Sequence, residues 1–155
     1  MLMNNVNISW VKFDPANPDL GFDKKSPQYS CTVKTDNKVD AEAWKKAGVN
    51  VKPVEEDGKV VYSATLKKKI YLDADGKNPT KPPAVVDKQL QPITNTSSIG
   101  NGSIGNVQVR LKPYEYMGKS GISVQLLAVQ ITELKEYQGG ESLAFEAIDS
   151  DKDVI

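Results

Sequence analysis

The sequence predicts a mostly β domain: a five-stranded, partly open barrel with one short helix and one long proline-rich loop. Three observations predict it. Five short runs alternate apolar and polar residues. One segment has helical spacing. A stretch from Asp75 to Ser97 holds four of the nine prolines and little periodicity. At 155 residues the chain is long enough for one domain with its own core.

Taken in order, "VNISWVKF" sends Ile8, Trp10 and Lys12 to one face and Ser9, Val11 and Phe13 to the other. "QYSCTVK" directs Tyr29, Cys31 and Val33 to the core and Gln28, Ser30, Thr32 and Lys34 away from it, so the single cysteine reads as a small buried hydrophobe. "VDAEAWKKAGV" is the helix, with Asp40 as N-cap, Ala41, Trp44 and Ala47 on one side, and Gly48 at its end. "KVVYSATLKKKIYL" places Val61, Ser63, Thr65, Lys67, Lys69 and Tyr71 on one face. The proline-rich excursion that follows is either a functional loop or a disordered insertion. In "SIGNGSIGNV", Asn101-Gly102 supplies a positive-φ turn, and the echo of "IG" and "NG" steps is too short for a structural repeat. No Gly-Lys-Ser/Thr opens a helix there, which excludes a Walker-type phosphate loop, so the turn serves to aim the next strand. That strand, "NVQVRLKPYEY", sets Val107, Val109 and Leu111 against Gln108, Arg110, Lys112, Tyr114 and Tyr116, and "ISVQLLAVQITEL" completes the five. Five strands with a helix between the early ones suit an OB-fold better than a sandwich, which usually has seven or more.

Composition narrows the chemistry. No apolar run approaches membrane-spanning length. Met1 to Asn7 lacks a secretory pattern, so the expected compartment is cytoplasmic and the sequons at Asn95 and Asn101 lose their usual meaning. Histidine is absent, which removes the commonest general base, metal ligand and nucleophile partner. "DADG" at Asp73 to Gly76 lacks the later acids of a calcium loop and reads as a turn through Asp75-Gly76, while "DSDKD" at Asp149 to Asp153 has Val154 where glycine is needed. The expectation is therefore a protein that is not an enzyme, with no metal and no cofactor. The net charge of zero conceals a division: residues 141–155 carry five acids and one base, a net of −4, which leaves the body with 19 bases and 15 acids, a net of +4. A basic body joined to an acidic tail suggests a polyanion partner and a detachable acidic segment.

Three strands pair cations with aromatic rings on one face: Trp10 with Lys12, Lys67 and Lys69 with Tyr71, and Arg110 and Lys112 with Tyr114 and Tyr116. On one strand this is what a solvated face commonly shows. On three it matches a single-stranded nucleic-acid surface, where cations neutralise phosphates and rings stack on unpaired bases. The candidate contacts are Trp10, Tyr71, Tyr114 and Tyr116 for stacking and Lys12, Lys34, Lys67, Lys69, Arg110, Lys112 and Lys119 for phosphate.

"IGNGSIGNVQVRLKPYEY" followed by "GISVQLLAVQITELKEY" resembles the glycine turn and two strands of tailed-phage single-stranded-DNA-binding proteins of the podovirus replication type. "VKFDPANPD", "KSPQYSCTVKTD", the "DAEAWKKAGV" helix and "VVDKQLQPI" are similar to the family's upstream segments, so the resemblance covers most of residues 6 to 140. It implies an OB-fold DNA-binding domain over 1–140 and an acidic, disordered tail over 141–155. It implies sequence-independent binding of single-stranded DNA in phage replication and recombination, in the cytoplasm of the infected host, without a membrane role and compatibly with a homodimer. The tail residues Glu141, Phe145, Glu146, Asp149, Asp151, Asp153 and Ile155 would contact replisome partners such as polymerase and helicase-primase, and would occupy the DNA groove when DNA is absent. Two features depart from the family: the chain ends Val154-Ile155 where an aromatic is common, and Arg110 is its single arginine, which leaves phosphate contact mainly to lysines acting as point charges. A structural β-domain of a virion tail or baseplate, and more remotely a sugar-binding OB-type module, are the alternative readings.

Overall fold

The five alternating runs become the five long strands of a single sheet. In the computed structural model, which describes residues 1–21, 26–71 and 80–136, they are β1 (Leu2–Lys12), β2 (Gln28–Thr35), β4 (Lys59–Lys69), β6 (Ser103–Tyr116) and β7 (Lys119–Glu133). Two short strands join them, β3 (Lys52–Glu56) and β5 (Ala84–Val86), giving the order β3-β4-β2-β1-β6-β7-β5. The sheet curls so that β4 and β7 face each other without a ladder between them, leaving an open seam in a five-stranded barrel. The two added strands sit on the sheet's outer edges, so the sheet has seven strands where five were expected. The acidic stretches at Asp73–Gly76 and Asp149–Asp153, the boundary at 140/141 and the whole 141–155 tail lie outside the described residues.

The interior follows the alternation. Ile8, Val33, Cys31, Ala64, Leu66, Val107, Val109, Leu126 and Val129 are all buried in one cluster, joined by Tyr29, Phe13 and Trp44. Burial pushes the Cys31 thiol up to about 12, which keeps it protonated and inert. Helix α1 (Lys38–Ala47) buries Ala41 and Trp44 against this cluster. Its N-cap is Asn37 rather than Asp40: the Asn37 side chain accepts from the amides of Val39 and Asp40, at 2.9 and 3.2 Å. Asp40 instead sits in the first turn, where its charge complements the helix dipole. Gly48 closes the helix at φ +111° and lies so close to Ile122 of β7 that a Cβ there would come within 2.7 Å of it.

The described part of the proline-rich excursion is ordered. Tyr71 and Thr80 pinch its base, with Thr80 N–H donating to Tyr71 O at 2.7 Å. Beyond it β5 pairs in parallel with β7, burying Val85, and a 3-10 turn at Thr96–Ser98 leads to the glycine stretch.

Within that stretch the triplet "IGN" occurs at 99–101 and again at 104–106. The two glycines face the backbone of the chain's last described segment, where a Cβ on Gly100 would lie 2.6 Å from Lys135 O and one on Gly105 would lie 2.1 Å from Gln130 O. The two asparagines serve β1. Strand β1 carries two bulges, between Met3 and Val6 and between Ser9 and Lys12. At each, one residue adopts a left-handed backbone, Asn5 at φ +53° and Trp10 at φ +54°. The amide of Asn5 donates to Asn106 Oδ1 at 2.9 Å and that of Trp10 to Asn101 Oδ1 at 2.8 Å. Of the Asn101-Gly102 pair, only Gly102 has positive φ, at +96°; Asn101 contributes its side chain.

Candidate nucleic-acid interface

Among the described residues the aromatics divide by burial, with Tyr62 half-buried between the extremes. Tyr29, Phe13 and Trp44 fill the core, whereas Trp10 is 63% exposed, Tyr71 63%, Tyr114 51% and Tyr116 70%. All four stacking candidates are thus free of the core and present their rings to solvent, as stacking requires.

Cross-strand register arranges the outward side chains in rows. On the β1-β2-β4 side, Lys12 pairs with Ser30 and Ser30 with Lys67; beside this row Gln28 pairs with Lys69, and Thr32 with Ser9 and Thr65. Three cations, Lys12, Lys67 and Lys69, therefore flank a floor of hydroxyls and an amide. On the β6-β7 side, Arg110 pairs with Gln125, Lys112 with Ser123, Tyr114 with Gly121 and Tyr116 with Lys119, again all on one face. The Tyr114 ring lies over Gly121, where a Cβ would come within 2.8 Å of Tyr114 Cζ. Beyond Leu111 the two strands run on as an exposed arm that turns through Met117 and Gly118, both at positive φ.

The open seam joins these two sides. Lys67, Lys69, Tyr71, Gln28 and Thr80 line a cleft of about 340 Å³ with Ser123 and Gln125, the cross-strand partners of Lys112 and Arg110. Residues from β4 and β7, far apart in sequence, so share one groove. A roomier cleft of about 490 Å³, between Phe13-Asp14-Pro15 and Pro82-Pro83, contains none of the candidate residues. Chemistry rather than volume singles out the seam.

Three residues complicate the surface. Lys34 lies outside the seam cleft and forms an ion pair with Glu56 of β3, in a polar cleft lined by Asn5, Asn7, Ser9 and Asn101. Lys68, between the two seam lysines, takes the opposite parity opposite buried Tyr29, and desolvation holds its ammonium below the usual lysine range. The third is an acid that sequence reasoning missed. Asp19 returns over β2, exchanging backbone hydrogen bonds with Gln28, and its carboxylate accepts from Gly21 N–H at 2.9 Å, Ser30 Oγ at 3.0 Å and Gln28 Nε2 at 3.3 Å. The Gly21 amide, with smaller help from Ser30, Gln28 and the charge of Lys12, keeps this carboxyl below its ordinary value against the opposing effect of burial. The expected cation face therefore contains a fixed negative charge between Lys12 and the seam. Its only signal in the sequence is an acid in the turn-rich "DPANPDLG", with no hint of its partners.

The tail candidates Glu141, Phe145, Glu146, Asp149, Asp151, Asp153 and Ile155 lie outside the described residues. Among the described residues no helix is long and apolar enough to cross a membrane.

Comparison with known proteins gives the family and the fold. A family model described as Enterobacter phage Enc34, ssDNA-binding protein, matches residues 30–155. No curated protein matches the sequence. Among solved structures, the chain is similar to gp2.5, a single-stranded DNA binding protein encoded by bacteriophage T7, with 18% identity, 94% of this chain and 97% of that chain covered, and a TM-score of 0.59. It is likewise similar to the single-stranded DNA-binding protein of bacteriophage Enc34 in complex with ssDNA, with 17% identity, coverage of 89% and 88%, and a TM-score of 0.61. These likenesses show the fold, the OB type of such phage proteins.

Proposed function

The chain belongs to the family of the Enterobacter phage Enc34 single-stranded-DNA-binding protein, and we propose that it coats single-stranded DNA without sequence preference during phage DNA replication and recombination, in the cytoplasm of the infected host. Binding rather than catalysis is the activity of this family. The observation that carries the reading is the coincidence of four exposed rings with cations on the outer face of one barrel, with Lys67, Lys69 and Tyr71 lining the seam itself. In this reading Trp10, Tyr71, Tyr114 and Tyr116 stack on bases, while Lys12, Lys67, Lys69, Arg110, Lys112 and Lys119 neutralise phosphates. Lys34 joins them by exchanging Glu56 for a phosphate. The floor of Thr32, Thr65 and Ser123 supplies hydroxyls that accept or donate without discriminating among bases. Residues 141–155 compete for the same cations and dock the polymerase and helicase-primase, and two chains can associate as a homodimer.

The virion-structural alternative finds no support in the family match. Salt dependence is the test, since a polyanion partner releases condensed counterions. Titration of the intrinsic tryptophan fluorescence with oligo-dT at several salt concentrations is expected to show quenching. Log K should fall against log salt with a slope of about −2 to −4, at about 0.7 per phosphate contacted. Absence of binding at low salt, with the tail removed, would overturn the reading.

A further inference from the structure

We propose that Asn101 is a positioning residue whose side chain holds Trp10 out on the nucleic-acid face; this rests on the single-strand reading above. Trp10 shares strand parity with Ile8, which is fully buried. In an unbroken strand the indole would therefore turn toward the core. The bulge prevents this by setting Trp10 and Val11 together opposite Cys31 alone, between the pairs Ser9–Thr32 and Lys12–Ser30. Val11 then packs against the core, and Trp10 stands 63% exposed.

Such a geometry needs support. A left-handed backbone is unfavourable for a residue as bulky as tryptophan, and the amide of a bulged residue has lost its ladder partner. Asn101 Oδ1 supplies the missing acceptor at 2.8 Å, while the next amide, Gly102 N–H, donates to Ile8 O at 3.0 Å and fixes the turn against β1.

The molecule contains its own comparison five residues away. Asn106 Oδ1 accepts from the amide of Asn5 in the other bulge, in the same antiparallel register, and the two asparagines are the third residues of the two "IGN" copies. There the bulged residue is asparagine, a short polar side chain that tolerates the left-handed region. The second "IGN", through Asn106, thus steadies a bulge that suits its residue. The first, through Asn101, forces an unsuitable residue into the same shape, and its product is an exposed ring beside Lys12.

The test compares Asn101→Ala with Asn106→Ala in the full chain. Both should lower the melting temperature, Asn106→Ala at least as much, because Asn106 Nδ2 also donates to Gln130 Oε1 at 3.0 Å. Only Asn101→Ala should weaken oligo-dT binding, by about fivefold, and reduce the DNA-induced quenching, since the other tryptophan, Trp44, is buried. Asn101→Asp, which keeps an acceptor oxygen, should retain the quenching amplitude, and Asn101→Ala should add little to Trp10→Phe. If Asn101→Ala does not fold, Asn101→Ser, whose hydroxyl falls short of the amide, takes its place with the same expectation. Wild-type affinity and quenching in the alanine variant, or equal weakening by both variants, would overturn the proposal. So would a Trp10→Phe variant that binds as wild type, and in each of these cases the single-strand reading stands. A wild-type chain that shows no salt-dependent binding removes both.

Discussion

The carboxylate of Asp19 is the residue on which stability and binding pull in opposite directions. It is held by three hydrogen bonds yet sits among the cations of the proposed face. Asp19→Asn should cost about 1–2 kcal/mol at neutral pH through weakened charge-assisted hydrogen bonds, read as a lower midpoint in urea. Because the folded-state pKa lies below the ordinary aspartate value, the stabilisation is fully present above about pH 4. It is lost as pH falls through the folded value, so the two proteins should converge in stability at low pH. Affinity should move the other way, rising about two- to fivefold at low salt once the charge near Lys12 is gone. Equal affinity would mean that DNA does not approach this row. On the β6-β7 side the expected losses are conventional: Tyr114→Ala removes one stack, worth about 1–3 kcal/mol by analogy with such sites, and Arg110→Ala should reduce the salt slope by about one phosphate's share. Binding by both variants as tight as that of the wild type would place the contact face elsewhere.

At the scale of elements, what could be read from the sequence is what periodicity encodes. The five barrel strands alternate over eight or more residues and were legible, as was the division of rings between core and surface in β2, β4 and β6. Strand β3 was not, because all five of its residues are exposed and no apolar alternation marks it; its only cue was Asp57-Gly58, both at positive φ in the tight turn to β4. Strand β5, with three residues, is too short to show a period. Trp10 and Lys12 were read as neighbours on one face, and they are, but with Ile8 wrongly beside them, since a bulge resets parity without any signature in composition. The seam was invisible for a different reason: it joins β4 to β7 through curvature, not through local pattern. The glycines of the triplets make the element-level prediction. Gly105→Ala would set a Cβ 2.1 Å from a backbone oxygen of β7 that cannot move aside alone, so it should cost about 3 kcal/mol or more. Gly121→Val, on the exposed arm, should cost little stability but displace the Tyr114 ring lying over it and weaken binding about as much as Tyr114→Ala. Thermal melts paired with oligo-dT titrations of the two variants check this, and a stable Gly105→Ala would contradict the close approach of β6 and β7.

For the whole molecule, the decisive quantity is how its charge is divided. The intact chain is neutral, so net charge alone gives it no attraction for DNA, whereas residues 1–140 carry +4 and the tail −4. If the tail lies over the cations when DNA is absent, removing residues 141–155 eliminates an intramolecular competitor whose effective concentration is set by its short tether. Affinity for oligo-dT should then rise, by about three- to tenfold at low salt. The gain should shrink as salt rises, because both the tail and the DNA act through the same screened charges. The slope of log K against log salt should also steepen, since cations released from the tail no longer offset those released from DNA. A swap separates charge from sequence: a tail with the same acids in scrambled order should restore wild-type affinity, because competition needs only charge, while any contact with polymerase or helicase-primase that depends on Phe145 or Ile155 in place should be lost. Equal affinity of the truncated and intact chains across the salt range would leave the tail with a docking role alone, and the basic face would then be open to DNA at all times.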